Sequence, residues 1–206
     1  MKKFGILFAG LFLFVNVASS QAVDDRAVIP VAVTLNSILR LNVTSGGNIE
    51  FNFNTLSDYE NGIATGPAYE TRFNVAASVD WRVSMSAEDL NLVGTDIVDG
   101  GGTSANIMEL DNIGYSIGLE GTGDEDSFTI LFDDEDDLVG PLTNSETFIV
   151  SPGEESNAGD ITRNAFVIKW RCGTAEGTMN QESILTQGVA ADRYATNVFL
   201  VLEPAP

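Results

Sequence analysis

Residues 69–85 alternate without a break. Odd positions carry Tyr, Thr, Phe, Val, Ala, Val, Trp, Val and Met, and even positions carry Glu, Arg, Asn, Ala, Ser, Asp, Arg and Ser. A helix would place such residues all around its circumference. A strand places the apolar set on one side and the polar set on the other, so this run must be β-structure with one face buried and one wet. The run is longer than an ordinary strand. It is therefore expected to bulge or to pass between two sheets near Ala76 and Ala77.

The rest of the chain repeats the same logic in shorter pieces. Residues 27–43 alternate, with a change of phase at Asn36 and Ser37 that predicts a bend or bulge. Residues 48–54 place Ile49, Phe51 and Phe53 on one side. Residues 106–119, 127–132, 146–150, 165–172 and 193–203 read as further strands, separated by stretches rich in Gly, Asn, Asp, Ser and Pro. Residues 55–63 read as a turn or a single helical turn, residues 173–192 as irregular chain with room for one helical turn at 181–185, and no long amphipathic helical pattern is present. Many short strands punctuated by turns predict an all-β fold, an antiparallel β-sandwich of Greek-key or immunoglobulin-like type with roughly nine strands. A closed barrel is the alternative.

Residues 1–22 have the form of a cleaved signal peptide. Lys2 and Lys3 are followed by an apolar stretch over residues 4–17, and Ser20-Gln21-Ala22 fits a cleavage site. The apolar stretch is short for a membrane span. The reading is an exported chain with no membrane insertion of its mature part, residues 23–206 forming one domain. An extracellular or cell-surface location is expected, with the periplasm as the alternative.

The formal net charge is −20. A field of that sign disfavours nucleic acid and anionic lipid as partners. The chain contains no histidine. That removes serine–histidine and cysteine–histidine hydrolysis and most zinc chemistry. Cys172 is the only cysteine and falls on the apolar face of its strand with Ile168 and Trp170, the pattern of a small buried hydrophobe. Trp81 also sits on the apolar face of its strand, so both tryptophans read as core. With many acids present, paired carboxylates for glycoside hydrolysis would arise by chance, and no motif singles out a pair.

Two features remain as candidates for binding. The acidic run Asp133, Asp134, Glu135, Asp136 and Asp137 could offer oxygens to calcium, although Leu138 stands where an EF-hand loop needs glycine. A solvated loop is the competing reading, and the expected cofactor is none, with calcium the alternative. Tyr59 and Tyr69 flank a loop and are the better placed aromatics for a glycan surface. The glycines 100–102 lack the strand and helix context of a phosphate cradle. Asn42-Val43-Thr44 is a formal glycosylation sequon inside a strand pattern.

The two chain ends carry a resemblance. VIPVAVTL (residues 28–35) just after the leader and the closing RYATNVFLVLE (residues 193–203) resemble the ends of secreted β-sandwich proteins of fimbrial-subunit type, in particular those of Bacteroidota-type bacteria. The chain departs from disulfide-bearing pilins in its single cysteine. The resemblance implies a structural subunit with no catalytic residues. Together with the strand plan it leads to a non-enzymatic surface subunit of a fimbria, sheath or surface layer, assembled by edge-strand pairing with copies of itself or related subunits. The candidate anchors are Ile29, Val31, Val33 and Leu35, with Val198, Leu200 and Leu202 as a second set. An adhesin-like or carbohydrate-binding module, calcium-dependent or not, is the alternative. Pro30 lacks a backbone donor and suits an edge. Residues 28–35 can be placed as the first strand of their own sheet or as an arm for a neighbour, and the sequence leaves both open.

Overall fold

A computed structural model describes residues 30–98 and 105–206. The chain divides into two compact units, Met1–Leu35 and Asn36–Pro206. In the first, residues 30–35 hold no regular secondary structure, and Val31, Val33 and Leu35 are exposed. The strand expected here is absent among those residues. Alternation sets which face would be buried, but a strand also needs a partner's backbone, and none pairs with these residues. Ile29, the leader and glycines 100–102 lie outside the described residues.

The second unit contains twelve strands among its described residues, where the sequence suggested roughly nine. They are β1 (Leu39–Ser45), β2 (Glu70–Ala77), β3 (Trp81–Ala87), β4 (Asn91–Val98), β5 (Ala105–Glu109), β6 (Ile113–Leu119), β7 (Phe128–Ile130), β8 (Gly140–Pro141), β9 (Thr147–Pro152), β10 (Ala165–Cys172), β11 (Tyr194–Ala195) and β12 (Val198–Pro204). Two short helices form: α1 (Leu56–Asn61) falls within the segment read as a turn or helical turn, and α2 (Ile184–Gln187) starts three residues later than the turn expected at 181–185. The fold is an all-β antiparallel sandwich. One sheet runs β1-β2-β10-β6-β8, a second β12-β3-β9-β7, and a small third β11-β4-β5. Among the described residues, no helix is long and apolar enough to cross a membrane.

The long alternating run becomes β2 and β3 in two different sheets, so the chain changes sheets at residues 78–80. In β2 every second side chain from Thr71 to Ala77 is buried. In β3 the odd residues Trp81, Val83, Met85 and Ala87 are buried. The two sheets meet on an aromatic cluster. Phe73 stacks on Phe166 at 5.3 Å, Trp81 meets Phe166 edge-on at 6.0 Å, and Phe128 meets the same ring at 5.2 Å. Burying each such ring contributes several kcal/mol of transfer free energy, and edge and offset contacts add about 0.5–1.5 kcal/mol per pair.

Residues 48–54 differ from the sequence expectation in an informative way. The alternation is realised, with Ile49, Phe51 and Phe53 half-buried against the core and Glu50 and Asn52 exposed. No strand forms, because none of the described backbone pairs with this segment.

Candidate functional site

β1 ends one sheet and β12 ends another. The two edge strands lie near each other, and between them opens a groove of about 830 Å³. Leu41 and Val43 line it from β1, Val198 and Leu200 from β12, and Trp170 and Cys172 from β10. Its two walls are residues 46–53 and residues 189–197. A cleft of this size with an apolar floor is the commonest form of a binding site.

The first wall is pinned from inside the core. Trp170 Nε1 donates to Thr71 Oγ1 at 2.9 Å, and Thr71 Oγ1 donates to the Gly46 carbonyl at 2.6 Å. Gly46 turns the chain out of β1 with φ of 67°. Beyond it, Tyr69 stacks on Phe51 at 4.5 Å and Tyr59 meets Phe53 edge-on at 5.3 Å. Both tyrosines suggested for a glycan surface are half-buried here; Tyr59 lines the groove, and Tyr69 packs on Phe51 of its first wall. A Thr55 capping box starts α1 and holds the far end: Asp58 N donates to Thr55 Oγ1, and Asp58 Oδ2 accepts from Thr55 N.

The second wall is tied to the small sheet. Thr95 N donates to the Arg193 carbonyl at 2.8 Å, and Asn106 Nδ2 donates to Asp192 Oδ2 at 2.9 Å. Arg193 Nε meets Glu50 Oε1 at 3.3 Å and so joins the two walls. Both side chains are about half exposed, so this pair is worth at most about 1 kcal/mol.

The terminal anchor set is paired within its own chain on one side. Val198, Leu200 and Leu202 lie opposite Ala87, Met85 and Val83. Leu200 and Leu202 are half-buried, Val198 is exposed at the groove, and the other edge of β12 is open. Both tryptophans are buried, as their parity required. Cys172 is buried, and burial pushes its thiol up to about 12, so it stays protonated and inert.

The acidic run follows β7, and two of its five side chains, Asp133 and Asp134, are held by the protein itself. Asp134 pairs with Lys169 and accepts from Ser116 Oγ at 3.0 Å. Asp133 Oδ1 accepts from Glu135 N at 3.0 Å. Among the described residues, no group of three or more Asp, Glu, Cys or His converges as a metal site would require. Burial pushes the Asp134 carboxyl up, but the hydrogen bonds from Lys169 and Ser116, with the charges of Lys169 and Arg171, outweigh it and hold the group below its ordinary value of 3.8. A lowered folded-state value gives stability that is complete above the unfolded value and is lost as pH falls through the folded one. Asp134→Asn should therefore flatten the acid side of the curve of melting temperature against pH, below about pH 4. An unchanged acid limb would mean that Lys169 and Ser116 do not hold the charge.

No protein-family model matches the chain, and no curated protein matches it.

Sequence reasoning found the side chains of the groove but not the groove. Period two assigned Ile49, Phe51 and Phe53 to the core side, yet nothing in it indicates that their backbone stays unpaired. Of the second wall, residues 189–192 read as irregular chain and residues 193–197 as the start of the closing strand, with nothing to show that they line a groove. A further sequence signal is Gly94 on the facing strand, where a Cβ would sit 2.3 Å from Asp192 Oδ2.

Proposed function

We propose that this chain is a non-enzymatic, exported structural subunit that assembles into a surface structure by adding a strand at an open sheet edge. One observation carries the reading: two edge strands, β1 and β12, flank a groove with polar walls whose floor is the apolar sandwich core itself. An edge strand with free N–H and C=O groups is a template for another chain. Monomeric proteins usually blunt such edges, and here the β12 edge carries exposed Phe199 and Val201. The chain has no histidine, which fits a role without acid–base catalysis near neutral pH.

The test is sedimentation velocity over a hundredfold range of concentration, with electron microscopy of the same samples. Growth into larger, regular species is the expected result. A single monomeric species at every concentration would sink the proposal.

A further inference from the structure

Two side chains are buried on the outer face of a sheet. Alternation turns Tyr115, Ile117, Trp170 and Cys172 into the core, so Ser116 on β6 and Arg171 on β10 point the other way, where a strand residue is ordinarily wet. Yet Ser116 is 1% and Arg171 8% exposed. Two loops roof them. Asp134 of residues 133–139 reaches Ser116, and Glu176 of residues 173–179 reaches Arg171. The Thr178 N–H joins the two loops by donating to the Val139 carbonyl at 3.3 Å. Beneath this roof is a second cavity, of about 310 Å³, whose lining includes Ser116, Asp134, Asp137, Leu138, Arg171 and Glu176.

The cavity holds an unanswered donor. Arg171 Nη2 donates to Ser116 Oγ at 2.9 Å and Nη1 to Glu176, so the guanidinium lies along the cavity wall. The side chain is 10% exposed, and its Nε–H has no acceptor among the described residues. A buried donor left empty is costly, and native proteins keep few of them without a water or a ligand to answer them. The same cavity holds unanswered acceptors. Both oxygens of Asp134 are taken, by Ser116 and Lys169. Glu176 Oε1 and the Asp137 carboxylate take no hydrogen bond among the described residues. The two loops also keep non-glycine residues in the left-handed region, Asp137 at φ of 54° and Ala175 at 56°. Such backbone persists where the surroundings impose it, and it clusters at ligand sites.

These groups select the chemistry of a ligand. An ammonium group satisfies the carboxylates but has no lone pair for the Arg171 Nε–H. An anion answers Nε but meets Asp134, Asp137 and Glu176, three carboxylates against the two cations Lys169 and Arg171. Calcium takes about six to eight oxygens, and no three acids converge among the described residues. A hydroxyl group both donates and accepts. Adjacent hydroxyls on a neutral ring can give their protons to carboxylates and a lone pair to a guanidinium. A volume of about 310 Å³ is at the small end of ligand sites, the size for a single ring. We propose that this cavity binds one ring of a neutral saccharide. Asp137 and Glu176 accept from its hydroxyls, Arg171 donates to one of them, and Leu138, 49% exposed at the rim, covers its C–H face. The site is separate from the proposed assembly, and either reading can fail without the other.

Ligand-observed saturation-transfer NMR on the protein purified from cells expressing the full chain tests this, and it reads binding to monomer and assembly alike. Glucose, galactose, mannose and N-acetylglucosamine are titrated in buffer with EDTA, and glucuronate and ammonium chloride are the charged comparators. At least one neutral sugar should saturate with a Kd of about 1 mM, the scale open to a ligand of this size. Asp137→Gly removes an acceptor and keeps the backbone, since φ of 54° suits glycine, and should weaken binding about tenfold. Asp136→Ala, in the same loop but outside the cavity lining, should not. Arg171→Lys keeps the charge without the Nε–H and should abolish saturation at an unchanged melting temperature; if it unfolds, Asp137→Gly carries the test alone. Equal affinity in wild type and Asp137→Gly, displacement of the sugar by ammonium chloride, or glucuronate bound as tightly as the best neutral sugar overturns the site. So does the absence of a saturable signal from all four sugars at about 50 mM, far above that Kd, which would leave Arg171 answered by water alone.

Discussion

Asn157→Ala is expected to cost roughly 2–6 kcal/mol of folding stability, a large share of what a domain of this size has. Asn157 is fully buried and acts as one rung of a sheet. Its Oδ1 accepts from Trp81 N at 3.0 Å, and its Nδ2 donates to the Trp81 carbonyl at 2.8 Å. The main-chain carbonyl of Asn157 accepts from Trp81 Nε1 at 2.8 Å, and its N–H donates to Asp80 Oδ1 at 3.1 Å. One loop residue therefore fixes the first residue of β3 by backbone and by ring. Alanine would leave the buried N–H and C=O of Trp81 without partners, each costing about 1–3 kcal/mol. Denaturant unfolding measures this directly. Asn61→Ala, an exposed position, is the control and should stay within about 0.5 kcal/mol of wild type. A loss at Asn157 no larger than the control's would show that the rung is replaceable.

Gly46→Ala should be comparably severe for a different reason. At φ of 67° a side chain is disfavoured by about 1–2 kcal/mol before any contact is counted. The added Cβ would also lie 1.9 Å from the Glu70 carbonyl oxygen, a backbone atom held in place at the start of β2. The chain has to move there, and the Thr71 bond to the Gly46 carbonyl goes with it. A loss of about 3 kcal/mol or more is expected, with faster amide exchange across residues 48–53. Exchange unchanged in that segment would show that the wall is held by its tyrosines alone. Gly47→Ala is the matched control, since nothing lies within 4 Å of its added Cβ.

The legible part of this fold was the part that period two governs. The alternation at residues 69–85 identified two buried faces and, as one of two expectations beside a bulge, the change of sheet, and AFVIKWRC read correctly as a strand, which the structure places between β2 and β6. What alternation cannot report is the partner. Residues 48–54 and 30–35 carry the same pattern as β2, yet neither pairs among the described residues. Pairing depends on chain distant in sequence and on the loops that bring it near. β4 was missed because Gly94 and the glycines after it read as loop. The acidic run illustrates the same limit for chemistry. Five adjacent carboxylates give no sign that Asp134 pairs with Lys169, which lies far along the chain on β10. Asn157 gave no warning, since an asparagine between serine and alanine in a polar stretch looks like any surface turn.

Five of the seven cations of the unit Asn36–Pro206 are already spent inside it. Arg72, Arg82, Lys169, Arg171 and Arg193 each face a carboxylate of their own chain. The outward field is then a surplus of unanswered acids. Two such molecules approach against that field until mobile ions screen it, over a Debye length of about 10 Å at 0.1 M salt. Encounter between copies is therefore set by the ionic strength of the surroundings: slow in dilute buffer, quick in brine.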